Sequence, residues 1–430
     1  MFHLGWFLSW QVQSWNGTWS GEGGTEWNHP ELYVEMAQSL ERAGFDYVML
    51  EDGAFVPDSY GGNHDWWLAR ARSVPKQDPM QLLPILSQNT ERLGLVGTMS
   101  TSYYPPYMAA RTMATIDHLS HGRAGVNLVT SHNTRTAQNF GHDDIFEHDL
   151  RYDMADEWVE LVKALWGSWD PDAVVLDRER NVFADGSKVR PVDFAGKWHS
   201  SRGPLNVTAP PQGRPVICQA GGSPAGRGLA AKHSDTILVQ VESVEAMKEY
   251  RDDVRARMRQ DGRDPDDCKV MFIVSPVLGE TEEEARAKSE RVLAGFKADI
   301  SVNLANMSYA SGVDFAQFDL DAPFPDLSQT NATRSSMVMM SANAQGMTLR
   351  QAAESNVRRS VELVGTPDSV AAQMDEIVTE VGGDGFLISG NVNRRYVAEI
   401  TDGLVPALRR RGLVREHYAH EMFRDNLLEF

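Results

Sequence analysis

Cysteine is almost absent from this 430-residue sequence, since Cys218 and Cys268 are the only two. Two cysteines are too few for a disulfide framework or a cysteine metal site, so a reducing cytoplasm is the expected compartment. The sequence also lacks an apolar run of the roughly 20 residues that a membrane span needs. Its N-terminus, MFHLGWFLSW, has no basic start typical of a signal peptide. We therefore expect a soluble, cytoplasmic protein.

Positive charge is scarce as well, with 41 Lys and Arg against 60 Asp and Glu, a formal net charge of −19. This balance excludes the basic surfaces that bind nucleic acid or anionic membranes. Any phosphate must then be held by local backbone dipoles and a few side chains. The hydrophobic fraction of 42% is ample for a large core. The length fits two or three domains, or one α/β barrel with insertions.

Eight short apolar segments, bounded by Gly, Pro or Asp and rich in β-branched residues, recur along the chain. Their length and composition are typical of strands buried on both faces. They are FHLGWFL (2–8), DYVMLE (46–51), LGLVGTMS (93–100), AGVNLVT (124–130), PVICQAG (215–221), DTILVQ (235–240), KVMFIVSPVLG (269–279) and DGFLISG (384–390).

Stretches with helical periodicity separate these segments. PELYVEMAQSLERAGF (30–45) starts on a proline and has a glycine near its end, as helices commonly do. Residues 151–169, 243–262 and 281–296 repeat apolar residues at three- and four-residue spacing. Eight buried strands alternating with helices predict an α/β fold, a (β/α)8 TIM barrel. A doubly wound open sheet is the alternative.

Two stretches exceed ordinary connections, residues 167–214 after the fourth strand and residues 300–350 after the seventh. We predict that both are insertions in a single barrel domain spanning residues 1–430. The second is poor in charge and rich in Ser, Ala, Asn and Met. That composition suits either a mobile cover over an active site or an oligomer contact. The chain is expected to form a homo-oligomer.

Polar residues concentrate at the C-terminal ends of the predicted strands, where barrels of this class place their active sites. Asp52 follows the second strand, Thr98 lies at the end of the third and Ser131 follows the fourth. In QAGGSPAGRGLAA (219–231), Ser223 is placed to cap a helix. A helix N-terminus with free amides and a hydroxyl is a ready anion site, although an ordinary capped helix fits the same residues.

The segment 131–157 carries three His, five Asp and two Glu. His148 and Tyr152 lie four apart at the start of a predicted helix, so they share a face and can both donate to phosphate oxygens. The helix N-terminus adds positive potential. No HExxH or comparable ligand spacing is present, so we predict no metal and regard the histidines as structural.

Tryptophan is concentrated near the N-terminus. Two interpretations are open: packing against the insertions, or stacking of a flat aromatic substrate at the barrel mouth. Seven of the 11 tryptophans fall in the first 67 residues, and these are Trp6, Trp10, Trp15, Trp19, Trp27, Trp66 and Trp67.

The sequence resembles the bacterial-luciferase-like flavin monooxygenases. The branch it resembles includes nitrilotriacetate, dibenzothiophene-sulfone and dimethylsulfide monooxygenases and riboflavin lyase. The likeness covers most of the chain and is weakest in 8–30 and 300–345. The segments that carry it are STSYYPPYMAARTMATIDHLSHGRAGVNLVTSHNTRTAQNFG (100–141), EHDLRYDMADEWVELVKALWGSW (147–169), RGPLNVTAPPQGRPVICQAGGSPAGRGLAA (202–231) and FRDNLLEF (423–430).

This resemblance implies a TIM barrel that binds reduced FMN, activates O2 and depends on a separate NAD(P)H-dependent flavin reductase. Asp52 is expected at the flavin ring or ribityl chain, since a carboxylate would repel the phosphate. No catalytic residue is assigned, because the cofactor carries the difficult chemistry while the protein places and shields it. Carried over by position, the flavin contacts are Asp52, Thr98, Ser131, His148, Tyr152 and Ser223.

The substrate is predicted from the loop 8–30. This loop has no Lys or Arg and carries two Glu, which disfavours polyanions such as nitrilotriacetate. The tryptophans favour a neutral aromatic heterocycle. Riboflavin, cleaved to lumichrome and ribose by a riboflavin lyase, is the leading prediction, and dibenzothiophene sulfone is the alternative. Outside the monooxygenases, a deazaflavin-dependent dehydrogenase on the same barrel competes. The polar residues available to bond a ribityl chain are Gln11, Gln13, Asn16 and Ser20.

Overall fold

The computed structural model describes residues 1–12, 15, 26–327, 344–355, 360–390 and 392–430. Eight parallel strands in it close into one barrel. A doubly wound open sheet has two edge strands, and this barrel has none, so the (β/α)8 prediction is confirmed and the alternative is wrong. The strands are β1 (His3–Ser9), β2 (Tyr47–Glu51), β3 (Gly94–Ser100), β4 (Ala124–Val129), β5 (Val216–Ala220), β6 (Thr236–Val239), β7 (Lys269–Val274) and β8 (Gly385–Ser389).

Helices surround the barrel and bury one apolar face each against it. Most begin at a Ser, Thr, Asp, Asn or Glu cap or at a proline. Eight of them, taken in chain order between the strands and after β8, are α1 (Glu31–Arg42), α2 (Pro79–Ser87), α3 (Pro106–Leu119), α4 (His148–Trp166), α5 (Pro224–His233), α6 (Val244–Gln260), α7 (Pro367–Val381) and α8 (Arg394–Ala398, continued by a π-helical turn, Glu399–Leu404, and Val405–Arg410).

The C-terminal helix Phe423–Leu427 closes the N-terminal end of the barrel. Its buried Phe423 and Leu427 belong to the same apolar cluster as Tyr47 and the other inward-facing strand residues. A β-carbon on Gly94, the first residue of β3, would lie 2.6 Å from the Phe423 ring, so glycine makes room for it. The open end of the barrel is therefore the C-terminal end.

The connection from α4 to β5 holds the predicted insertion 167–214. It contains two antiparallel strand pairs and a 3-10 turn, Gly186–Lys188. The segment thus follows α4 rather than β4 directly. The strand pairs are Val174–Asp177 with Val182–Ala184, and Phe194–Ala195 with Ser200–Ser201.

The insertion after β7 is longer than the predicted 300–350, since it extends from β7 to α7. The helix near residue 290 belongs to the insertion, because α7 and not that helix packs beside α6. A short parallel pair, Val277–Leu278 with Val364–Gly365, lies at its two ends. Its helices are Glu282–Ala298, Ile300–Ser311 and Leu349–Ser355, with a 3-10 turn at Phe315–Gln317. The remaining short helices are Asp65–Ala69, Thr134–Asn139 and the 3-10 turn Pro265–Asp267. No helix of the described residues combines the length and apolar character that a membrane crossing requires.

Candidate active site

The loop from β5 to α5 forms a tight turn at the N-terminus of α5. Ser223 caps the helix, and its hydroxyl accepts a hydrogen bond from the Gly226 amide at 3.1 Å. A β-carbon on Gly221 would lie 2.5 Å from Oε1 of Gln219 and 2.6 Å from the Gly226 carbonyl oxygen, so only glycine fits there. This local geometry follows from the residue types of the segment 219–231.

Helix α4 brings Tyr152 to the same point. A β-carbon on Gly226 would lie 3.1 Å from the Tyr152 hydroxyl and 3.3 Å from the Ser223 hydroxyl. One turn before Tyr152, the His148 ring has its centroid 5.2 Å from the Tyr152 ring. We call His148, Tyr152, Ser223 and the Ala225 amide at the start of α5 the donor cluster. Hydroxyl, imidazole and amide donors at a helix N-terminus suit a phosphate.

Ser131 lies on the loop between β4 and α4 and has a left-handed backbone, with φ of +52°. Its hydroxyl hydrogen-bonds the Ser100 hydroxyl at 2.8 Å, which ties this loop to the end of β3. Its carbonyl accepts a hydrogen bond from Arg151, the residue before Tyr152. Ser131 is therefore connected to the start of α4 that carries His148 and Tyr152.

Thr98 lies inside the barrel, next to β4. Its buried hydroxyl donates to the Leu50 carbonyl at 2.8 Å and accepts from Nδ2 of Asn127 at 3.0 Å. Both hydrogen-bonding directions of the hydroxyl are thus used within the protein. Thr98 thus fixes the orientation of the Asn127 amide. The oxygen of that amide remains able to accept a hydrogen bond from a ligand.

Asp52 belongs to a second group of polar residues, at the end of β2. Burial raises the pKa of Asp52 to about 6, opposed by the Gly53 amide and the Lys76 ammonium. Lys76 itself is paired with Glu51 at 2.8 Å, and the Ser9 hydroxyl also donates to Glu51. Lys76 is therefore already neutralised, and Asp52 is half-protonated near pH 6 and mostly ionised at neutrality. A neutral Asp52 is able to donate as well as accept at this end of the barrel.

Buried polar atoms without a hydrogen-bond partner occur at the C-terminal end of the barrel. Among the described residues they include Oδ1 of Asn127 on β4, Oε1 of Gln219 on β5 and Nε of Arg151 on α4. Leaving such atoms unpaired is costly, so they indicate a ligand rich in donors and acceptors. A flavin ring and a ribityl phosphate meet that requirement, so these residues fit FMN.

Two residues at the barrel mouth are not among the predicted site residues: the sequence indicates a structural role for His132 and does not single out Tyr309. His132 has an exposed side chain, yet the surrounding protein and Arg151 lower its pKa. Its ring lies 6.2 Å from Tyr309 of helix Ile300–Ser311. Tyr309 stacks on Phe55 at 5.5 Å, and burial raises its pKa. The composition of 300–350 indicated a segment over the site but not which side chain faces it.

The family model for luciferase-like monooxygenases matches residues 2–385. The chain belongs to this family. It is thus a flavin-dependent monooxygenase, as the resemblance implied.

Individual relatives agree with this assignment. This luciferase-like monooxygenase is 37% identical to the dibenzothiophene-sulfone monooxygenase of Rhodococcus erythropolis (strain XP), over 99% of this chain and 96% of the relative. It is 34% identical to component A of the nitrilotriacetate monooxygenase of Aminobacter aminovorans, over 92% and 89%. The crystal structure of a riboflavin lyase with modified FMN and riboflavin superposes with a TM-score of 0.89 at 31% identity, covering 100% and 96%.

Three of the seven N-terminal tryptophans of this luciferase-like monooxygenase are used in packing. Trp6 and Trp67 are buried, and Trp10 is buried with its indole donating to the Trp27 carbonyl at 3.0 Å. These three support the packing interpretation over substrate stacking. Gln13, Asn16, Trp19 and Ser20 lie outside the described residues.

One group of three possible metal ligands occurs among the described residues, away from the barrel mouth. Its members are Asp156 and Glu160 on α4 and His233 at the end of α5. Lys232 lies 2.8 Å from Asp156 and 3.2 Å from Glu160. His233 lies 2.6 Å from Asp156, so each member already has a partner.

Proposed function

We propose that the protein is the oxygenase of a two-component system. It takes reduced FMN from a separate NAD(P)H-dependent flavin reductase and uses O2 to oxidise a small aromatic heterocycle. The FMN phosphate binds at Ser131 and the donor cluster. Asp52 and Thr98 lie toward the ring and ribityl chain. Reduced FMN supplies the two electrons for O2 activation, and the protein positions it and excludes water.

The observation that carries this proposal is the convergence of Tyr152 and Ser223 at the start of α5. Two hydroxyls within 3.1 and 3.3 Å of one point at the N-terminus of α5 support a local phosphate site there. Such a site is needed because the net charge of −19 provides no general attraction for an anion. Family membership makes a flavin phosphate the anion with the strongest support.

The barrel mouth favours a neutral, planar substrate. Phe55, Tyr309 and His132 supply aromatic surface there. Two cations of the mouth are paired within the protein: Lys76 with Glu51, and Arg135 on the rim with Asp58. A tricarboxylate such as nitrilotriacetate would have to displace these pairs. We therefore keep an aromatic heterocycle as the substrate class.

Riboflavin is the first candidate within this class, with cleavage to lumichrome and ribose. Support comes from the superposition on a riboflavin lyase over the whole chain. Dibenzothiophene sulfone is the second candidate, supported by 37% identity to a dibenzothiophene-sulfone monooxygenase. Both molecules are flat and uncharged, and the described residues of the mouth fit either of them.

The test is a reaction with a flavin reductase, NADH, FMN and O2, run in the dark because light alone converts riboflavin to lumichrome. Riboflavin, dibenzothiophene sulfone and nitrilotriacetate are supplied separately, and products are identified by mass spectrometry with 18O2. We expect FMN-dependent O2 uptake coupled to product from one aromatic substrate. Oxidation of nitrilotriacetate alone would refute the substrate class. Turnover in a parallel reaction that contains a deazaflavin in place of FMN and O2 would indicate a deazaflavin-dependent dehydrogenase and refute the reaction.

A further inference from the structure

Three arginines of the described residues are buried, and two of them are held either by several hydrogen bonds or by carboxylates. Arg123 is 1% exposed and donates to carbonyl or hydroxyl oxygens of Ser87, Thr90, Leu93 and Ser120. Arg415 is 4% exposed and faces the carboxylates of Asp46 at 2.6 Å and Glu429 at 3.2 Å. These two side chains are structural by the ordinary criteria for buried charges.

Arg151 differs from both. It is 2% exposed, and within the described residues its guanidinium makes a single hydrogen bond, to the Ser131 carbonyl. Its Nε, like that of Arg415, has no partner. Within the described part of the chain, no carboxylate oxygen lies within the 4.0 Å of an ion pair from its guanidinium. Burying a cation that has neither a counter-charge nor a full set of hydrogen bonds is unfavourable, and a bound anion would compensate it. The free protein therefore carries a cost at this position that a ligand relieves.

The surroundings of Arg151 identify that ligand's position. Arg151 holds the left-handed Ser131 and directly precedes Tyr152 of the donor cluster. Desolvation lowers the pKa of Arg151, while Tyr152, Tyr103 and Glu147 raise it. The buried cation thus lies beside the proposed phosphate site and not on a remote face of the barrel.

We infer that Arg151 makes the cofactor site select a phosphorylated flavin over the same flavin without phosphate. Hydroxyls, amides and imidazole bind a ribityl hydroxyl as well as a phosphate oxygen, so neutral donors discriminate less sharply than a full positive charge does. A buried guanidinium prefers a phosphate dianion through charge-assisted hydrogen bonds. By holding Ser131 it also fixes a second donor at the same place. This inference rests on the proposed use of FMN.

Such selection has a use in the proposed reaction. An enzyme that oxidises riboflavin with reduced FMN handles two molecules with the same ring system, which differ in the phosphate. A cofactor site without a cation would accept the substrate in place of the cofactor. Arg151 provides a full positive charge that attracts the phosphate of FMN and has no such partner on riboflavin.

The test compares the binding of oxidised FMN and riboflavin to the purified full chain by flavin fluorescence. The variants are Arg151→Gln, Arg151→Lys and, as a control, Arg135→Gln at the exposed Asp58 pair. We expect Arg151→Gln to weaken FMN binding on the order of 10- to 100-fold, the scale of a charge-assisted hydrogen bond. Riboflavin affinity should change by less than about threefold, within the context-dependence of a single contact. Arg151→Lys should retain part of the preference for FMN over riboflavin. Arg135→Gln should retain all of this preference.

Melting temperatures without flavin separate this role from a structural one. Since Arg151 is uncompensated in the free protein, Arg151→Gln should melt at or above the wild-type temperature. FMN should then raise the wild-type melting temperature more than that of the variant. If Arg151→Gln fails to fold, or loses affinity for FMN and riboflavin equally, the inference about Arg151 is wrong, and the proposed function is unaffected. Wild-type protein that binds neither flavin would overturn both the inference and the proposed function.

Discussion

The hydroxyls of Tyr152 and Ser223, which belong to α4 and α5, both approach Gly226, at 3.1 and 3.3 Å from the point where a β-carbon would lie. The Cα of Gly221 lies 3.0 Å from that point on the backbone side. Glycine at 226 therefore lets two helices and a tight turn meet at one small volume. The site therefore depends on glycine having no side chain at position 226 as much as on the donors around it.

Replacing Gly226 with alanine should weaken FMN binding by about 1–3 kcal/mol, the usual cost of overpacking. The new methyl group would displace at least one hydroxyl or the Gly221 backbone. The matched control is Gly228→Ala in the same helix, where a β-carbon meets no atom within 4 Å. That control should leave affinity unchanged and stabilise the helix by up to about 1 kcal/mol. Equal FMN affinities in the two variants, by titration, would contradict the site geometry.

Tyr152→Phe and Ser223→Ala should each weaken FMN binding by about 1 kcal/mol, the scale of one hydrogen bond. Their effects on stability should differ. Ser223 caps α5 through the Gly226 amide, so its loss costs about 1 kcal/mol of folding free energy. The Tyr152 hydroxyl has no hydrogen-bond partner in the described structure, so phenylalanine should leave the melting temperature unchanged. If neither variant alters FMN affinity, the phosphate binds elsewhere.

Asp52 should make folding stability depend on pH. Because burial raises its pKa from 3.8 to about 6, the folded state favours the protonated form. The stabilisation is complete below about pH 4 and is lost as the pH rises through 6. Asp52→Asn should therefore match the wild type near pH 4 and exceed it at pH 8, by at most about 3 kcal/mol. Denaturant unfolding at both pH values measures this.

Some pH dependence should remain in Asp52→Asn, because burial also raises the pKa of Asp117 to about 6. The exposed Asp143 provides the control, and Asp143→Asn should behave like the wild type at both pH values. A variant at position 52 that is less stable than the wild type at pH 8 would show that Asp52 is stabilised as an anion.

The barrel was predictable because each strand is buried on both faces, so its apolar run coincides with the strand. The segment 46–51 was predicted and Tyr47–Glu51 is observed. The exception is 269–279, where β7 ends at Val274 and Val277–Leu278 pairs with Val364–Gly365 instead. The apolar pattern continues past Pro276, but proline donates no hydrogen bond to a ladder.

The site was only partly predictable, for a physical reason. The Ser223 cap and the shared face of His148 and Tyr152 depend on contacts within one turn, and such local rules apply to a sequence directly. Tyr309 reaches the mouth only through the packing of its helix on the loop after β2, where Trp66 donates to Ser301 at 3.0 Å. The role of Arg151 depends on which carboxylates are absent around it, and a sequence pattern does not contain that information.

Phe423→Ala should destabilise the protein by about 3–5 kcal/mol, the usual cost of removing a buried phenylalanine ring. The ring packs against the first residues of β2, β3 and β4, and it lies 5.6 Å from the Tyr47 ring. The control is Phe183→Ala on an insertion strand, 63% exposed, which should change stability by at most about 0.5 kcal/mol. Thermal and denaturant unfolding measure both variants. Because Phe423 closes the end opposite the donor cluster, the folded variant should bind FMN with wild-type affinity. Loss of FMN binding in a variant that is still folded would show that the two ends of the barrel are coupled.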